Sequence, residues 1–178
     1  MPLGLALRLS LLLLLAGCGS GIDEDTRRST TFGPVVGTQE GALSIWRGIP
    51  FAQPPIEALR WRAPQPPLPW TETHIALDDA PACFQSGWLQ SQEDEPFSGS
   101  EDCLYLNIWA PTENPSESAL PVMVWIHGGA NTLGSAATYI PSHLVAEQAV
   151  IVVTIQYRLA SFGWFRHPAL RDGPTTAS

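Results

Sequence analysis

The sequence predicts an α/β domain built on a mostly parallel sheet. Three observations carry this expectation. Pro121-Val122-Met123-Val124-Trp125-Ile126 is apolar at every position rather than at alternate ones, the pattern of a strand covered on both faces of a parallel sheet. Residues 149–157, rich in Val and Ile, read as a second buried strand. Residues 140–148 between them read as a helix with Pro141 in its first turn, so the three form a βαβ unit.

Composition narrows the class. The 178 residues suit one domain. Nine arginines and no lysine stand against 17 acidic residues, for a net charge of -8, which argues against nucleic acid as a partner. Seven Trp and 17 Pro point to extended, aromatic-rich loops rather than a helical bundle. No internal repeat and no cofactor or metal motif is found.

In chain order, residues 1–18 read as an export signal. Arg8 supplies a positive start, and Leu9 to Leu15 form an apolar run too short to span a bilayer, which takes about 20 residues. Leu15-Ala16-Gly17-Cys18 resembles the lipobox of bacterial lipoproteins, in which the Cys is acylated and becomes the mature N-terminus. The expectation is a lipid-anchored protein of the bacterial cell envelope. An ordinary signal peptide with a chance Cys, giving a periplasmic or secreted protein, is the alternative. Residues 19–31, small and charged, are expected to be a flexible tether, and 32–178 the globular part.

Three cysteines remain to be paired. With Cys18 carrying lipid, Cys83 and Cys103 are left in an oxidising setting, where a bridge would close a polar loop of about 20 residues and contribute roughly 3 kcal/mol. Two unrelated buried thiols are the alternative. Residues 32–38 and 42–47 read as a hairpin across Gln39-Glu40-Gly41. The prolines of 48–55 and 60–70 enforce extended, irregular chain. Residues 104–109 read as a partly alternating strand, and 114–118 as a turn before the central one.

Several blocks then share one likeness. Gly48-Ile49-Pro50-Phe51-Ala52-Gln53-Pro54-Pro55, Leu59-Arg60-Trp61-Arg62 leading to Pro69-Trp70, and Glu101-Asp102-Cys103-Leu104-Tyr105-Leu106-Asn107-Ile108-Trp109 come first. His127-Gly128-Gly129-Ala130 with Gly134, and Gln156-Tyr157-Arg158-Leu159 with Phe162-Gly163, follow. Five blocks in this order resemble the N-terminal third of the type-B carboxylesterase/cholinesterase family of α/β-hydrolases. The resemblance implies an N-terminal hairpin and the start of the central sheet of that fold, here incomplete.

It also implies hydrolysis of small carboxylic esters by a Ser–His–acid triad through an acyl-enzyme. The Ser of that family sits in a G-x-S-x-G turn, with the acid and His following it. No Ser of this sequence has that setting, and none of His74, His127, His143 and His167 lies at the family's catalytic position. The resemblance thus places the nucleophile, the acid and the catalytic His beyond Ser178, and no triad residue is expected within the sequence. The chain is therefore expected to be a fragment, inactive alone. What it keeps is the oxyanion loop: by motif position the backbone N–H groups of Gly129 and Ala130 are the donors, with Gly128 completing the turn. Ala130 stands where many members have Gly, and Asn131 where many have an aromatic residue.

Arg60 and Glu101 match positions that form a buried ion pair in the family. His127 reads as a strand-end residue rather than a catalyst. Trp88 reads as a packing residue, and Glu93-Asp94-Glu95 as a solvated loop rather than a cation site. The rival to an exported ester hydrolase is a non-catalytic adhesion or binding module of the same fold. A lipoprotein displaying a small β-rich domain is the third reading, and it leaves the buried strands without a purpose.

Overall fold

A computed structural model describes residues 21–86, 97–113 and 119–170. Cys18, Trp88, Glu93-Asp94-Glu95, the turn at 114–118 and the end of the chain up to Ser178 lie outside the described residues. The expectation that the triad lies beyond Ser178 is therefore one that the described residues do not reach. A 3-10 turn, Glu24–Thr26, leads into strands β1 (Arg28–Ser29), β2 (Pro34–Val36), β3 (Thr38–Glu40) and β4 (Leu43–Pro50). After a second such turn, Glu57–Leu59, come β5 (His74–Ile75), β6 (Gln85–Ser86), β7 (Phe97–Ser98) and β8 (Tyr105–Pro111). The chain continues through β9 (Val122–Ile126), helix α1 (Ser142–Gln148), β10 (Ile151–Ile155) and the short helix α2 (Ala160–Trp164).

The main sheet has the order β3-β4-β8-β10-β9. The expected βαβ unit is present: β9 and β10 are parallel, in register from Val122 opposite Ile151 to Ile126 opposite Ile155. The other neighbours are antiparallel, so among the described residues only this pair carries the parallel part of the sheet. The hairpin, which joins β3 to β4 while residues 34–36 of the expected first strand pair with β1 and β5, accounts for part of the difference. Glu40 stands opposite Leu43, and a connection that short can only join antiparallel strands.

Alternate residues of β4 and β8 face two layers. On one side Leu43, Ile45 and Trp109 pack with Val150 and Val152 against Val145 of α1. On the other, Trp46 and Ile49 meet Val35 and Ala76, with Leu106 and Ile108 of β8 behind them. Each buried aliphatic side chain stabilises the fold by about 1.5–3 kcal/mol. The register of β4 slips between Trp46 and Ile49. Gly48 occupies the slip at φ +69, donating its N–H to Asn107 Oδ1 at 2.8 Å, while Asn107 Nδ2 donates to Asp79 at 2.7 Å. A buried amide thus satisfies the backbone that the bulge leaves unpaired.

Two further readings of the residues differ from the structure. The tether assigned to 19–31 is built into the domain from Asp23 onward. Thr26 is fully buried: its hydroxyl donates to Asp23 O and accepts from Gly37 N, and its carbonyl accepts from Trp46 Nε1 at 2.9 Å. Hydrogen bonds order this segment, and composition does not report them. The pattern of β9 is that of a strand covered on both faces, yet its residues are 45–64% exposed. It is the last strand of the sheet, and the described chain covers it only from the side of Tyr139 and Leu144. No helix of the described residues is long and apolar enough to cross a membrane.

Candidate active site

β9 delivers its C-terminal end to His127, and there the backbone changes direction. Gly129 adopts φ +116, and a Cβ on it would lie 1.9 Å from Leu133 O, so only glycine fits. Ala130 and Asn131 follow in the left-handed region, at φ +53 and +62. The turn closes when Gly129 O accepts from Thr132 N at 3.0 Å and Leu133 N at 3.1 Å. At Gly128 an added Cβ would meet nothing within 4 Å, so that side of the loop faces open space. Among the described residues the N–H groups of Gly129 and Ala130 donate to no other group. Two such donors side by side, on a loop with left-handed φ, are of the kind that can receive an anionic oxygen.

The loop is fixed from outside at several points. Tyr157 donates its hydroxyl to His127 O at 2.7 Å, and its ring stacks on the imidazole with centroids 4.4 Å apart. Ala160 N donates to Asn131 O at 2.7 Å. Gln156 accepts from Ala136 N at 3.2 Å and donates to Ser135 Oγ at 3.0 Å. Gly134 sits at φ +123, and a Cβ there would lie 2.4 Å from His127 Nδ1 and 2.5 Å from Gly128 O. Its backbone therefore lies directly against the peptide that carries the loop. Gln85 holds Gly134 from the other side, accepting from its N–H at 2.7 Å and donating to its carbonyl at 2.9 Å.

His127 is buried, with Nδ1 2.9 Å from Gly128 O and Nε2 unpartnered among the described residues. It supports the loop and does not face the open side. The other histidines are scattered. His74 pairs with Gly48 O, His143 lies on the exposed side of α1 beside Glu147, and His167 accepts from Ala169 N. Among the described residues no group of His, Cys, Asp and Glu could hold a metal ion.

Cys83 and Cys103 form a disulfide with Cα atoms 5.0 Å apart, both buried. Arg60 meets Glu101 in a two-point pair at 2.5 and 2.7 Å, and the glutamate holds the guanidinium pKa above its ordinary value. Their side chains are 35% and 22% exposed, so the pair is partly rather than fully buried. The guanidinium carbon of Arg60 also lies over the ring of Trp61, 5.7 Å from its centroid. Burial lowers the pKa of Arg158, and burial with Asp102 raises Tyr105 to about 12.

The Carboxylesterase family profile matches residues 24–171. The chain belongs to that family. Human Carboxylesterase 3 is 43% identical over 149 residues, which are 76% of this chain and 26% of the human protein. The fumonisin B1 esterase of Sphingopyxis macrogoltabida is 41% identical over 153 residues, 85% of this chain and 28% of that enzyme. Among solved structures, a thermophilic PNB esterase superposes with a TM-score of 0.73 at 43% identity, covering 82% of this chain and 30% of its own. A Geobacillus stearothermophilus carboxylesterase gives 0.68 at 34% identity, over 78% and 28%. The fold of this carboxylesterase-family chain is thus of the α/β-hydrolase type, seen in part, and the chain spans under a third of the length of these relatives.

Gln85 and the hydroxyl of Tyr157 are the loop contacts that the sequence alone does not single out. Their partners lie 49 and 30 residues away, and no local pattern encodes such a contact.

Proposed function

We propose that this chain is the oxyanion-loop portion of a serine carboxylic-ester hydrolase. In that reaction a serine oxygen attacks the ester carbonyl and the carbonyl oxygen gathers negative charge. The Gly129 and Ala130 N–H groups donate to it in the transition state more strongly than to the neutral ester. The acyl-enzyme is then hydrolysed by water. No Ser of these 178 residues stands in a G-x-S-x-G setting, so the reading assigns the nucleophile, its acid and its histidine to none of them. The observation that carries the reading is the pair of adjacent N–H groups, without a partner among the described residues, on a loop fixed from several sides.

Steady-state and burst kinetics with short-chain aryl esters test it. The full-length product of the gene is expected to show a burst of alcohol release and turnover, abolished by a serine-directed inhibitor. The 178-residue chain is expected to show neither. A full-length product that binds esters without turning them over would instead support the binding-module reading.

We further propose that the protein is exported and held at the cell envelope by an acyl group on Cys18, on the strength of Leu15-Ala16-Gly17-Cys18. Intact mass of the membrane-extracted protein should show a mature N-terminus at Cys18 carrying lipid. A soluble form beginning elsewhere removes this reading.

A further inference from the structure

Gln85 lies two residues beyond the disulfide half Cys83 and makes three hydrogen bonds, all to backbone. Its Oε1 accepts from Gly134 N at 2.7 Å, and its Nε2 donates to Gly134 O at 2.9 Å and to Cys83 O at 3.0 Å. The orientation of the amide follows from its partners, since Gly134 N–H can only donate and its carbonyl only accept. Two parallel bonds to one residue fix direction as well as distance.

The residue gripped in this way matters for the loop. Gly134 lies close enough to His127 and Gly128 that not even a methyl group would fit between them. Any shift of Gly134 is therefore passed to the peptide that precedes the Gly129 and Ala130 donors. The other end of the grip is equally fixed. Cys83 is covalently tied to Cys103, and Gln85 pairs with Ser98 in the β6–β7 ladder. Neither end rests on the exposed strand β9.

We propose that Gln85 is a positioning residue for the oxyanion loop. It ties the loop to the disulfide-closed segment and holds the Gly129 and Ala130 N–H groups where a developing oxyanion will lie. This rests on the esterase reading for its catalytic consequence, but the clamp itself does not. A donor pair displaced by a fraction of an ångström stabilises the transition state less while binding the neutral ester about as well. Loss of the clamp should therefore lower kcat and leave KM unchanged.

The test compares Gln85→Met and Gln85→Glu in the full-length protein. Methionine keeps the length of the side chain and makes none of the three bonds. Glutamate keeps only acceptance from Gly134 N–H. Rates are expressed per active site counted with a serine-directed titrant, so that a smaller folded fraction does not mimic a slower enzyme. The Met variant is expected to lose roughly 10- to 100-fold in kcat at constant KM, with the Glu variant between it and the parent. Hydrogen exchange should quicken at residues 132–134 and stay unchanged in β8 and β10. If the Met variant does not fold, the Glu variant decides by the same two readouts. Both variants within twofold of the parent, with unaltered exchange, would overturn the proposal. A parent that hydrolyses no ester would overturn the esterase reading, and exchange alone would then decide whether the clamp exists.

Discussion

Tyr105 begins β8 close to Asp102, and its phenol is partly buried there. Burial, chiefly, and the neighbouring carboxylate raise its pKa from 10.0 to about 12. The raised value means that folding favours the neutral phenol. Its contribution to stability is complete below pH 10, the unfolded value, and is lost as pH rises through about 12. A tyrosinate absorbance titration of the native protein is expected to show a step at about pH 12 that belongs to Tyr105. Replacement by Phe should delete that late step. A Tyr105 step at the ordinary tyrosine value of about 10 would show that the site is open to water.

At this scale the sequence is readable wherever chemistry demands one residue type. Gly129 and Gly134 can be picked out because nothing larger fits where they sit. The bond of Tyr157 to His127 O cannot, because a hydroxyl has many possible partners and only the assembled fold selects one.

Among the elements, β9 has the most to lose from its position. Its composition marks it as an interior strand, and the βαβ unit formed with α1 and β10 follows from period and order alone. Its place at the end of the sheet does not, since the order β4-β8-β10-β9 depends on pairings between segments far apart in the chain. The insertion of β8 between β4 and β10 is hidden for the same reason. So is the left-handed Ala149 that ends α1, where glycine would be the usual choice.

One backbone edge of β9 has no partner among the described strands, and its five side chains carry no charge. Such an edge pairs with other edges. In sedimentation velocity the 178-residue chain is therefore expected to run as species larger than a monomer. Val124→Lys, which places a charge in the middle of the strand, should shift the distribution toward monomer. A parent chain that is already monomeric, with a sharp thermal transition, would show that the strand is protected.

For the molecule as a whole, the family is legible because five separate blocks stand in the right order. The domain limits are less so. Polar residues such as Asp23, Thr26 and Arg27 look like linker until their partners are known: Gly37 and Trp46 for the threonine, Thr73 for the arginine. A surface ion pair such as Arg27 with Glu24 adds little by itself, but a buried threonine with every polar atom satisfied defines where the domain begins.

That early beginning sets a leash length. Between Cys18 and Asp23 there are only four residues, so the five steps from one to the other reach at most roughly 18 Å when fully extended. With the whole of 19–31 free, the domain could drift and tumble well clear of a bilayer. With so short a leash, a lipid on Cys18 would hold it within about one headgroup layer and its own radius of the surface, and only part of its circumference could turn toward the lipid. An acyl chain on Cys18 would then set the orientation of the domain as well as its address, with the segment around Thr26 always on the membrane side.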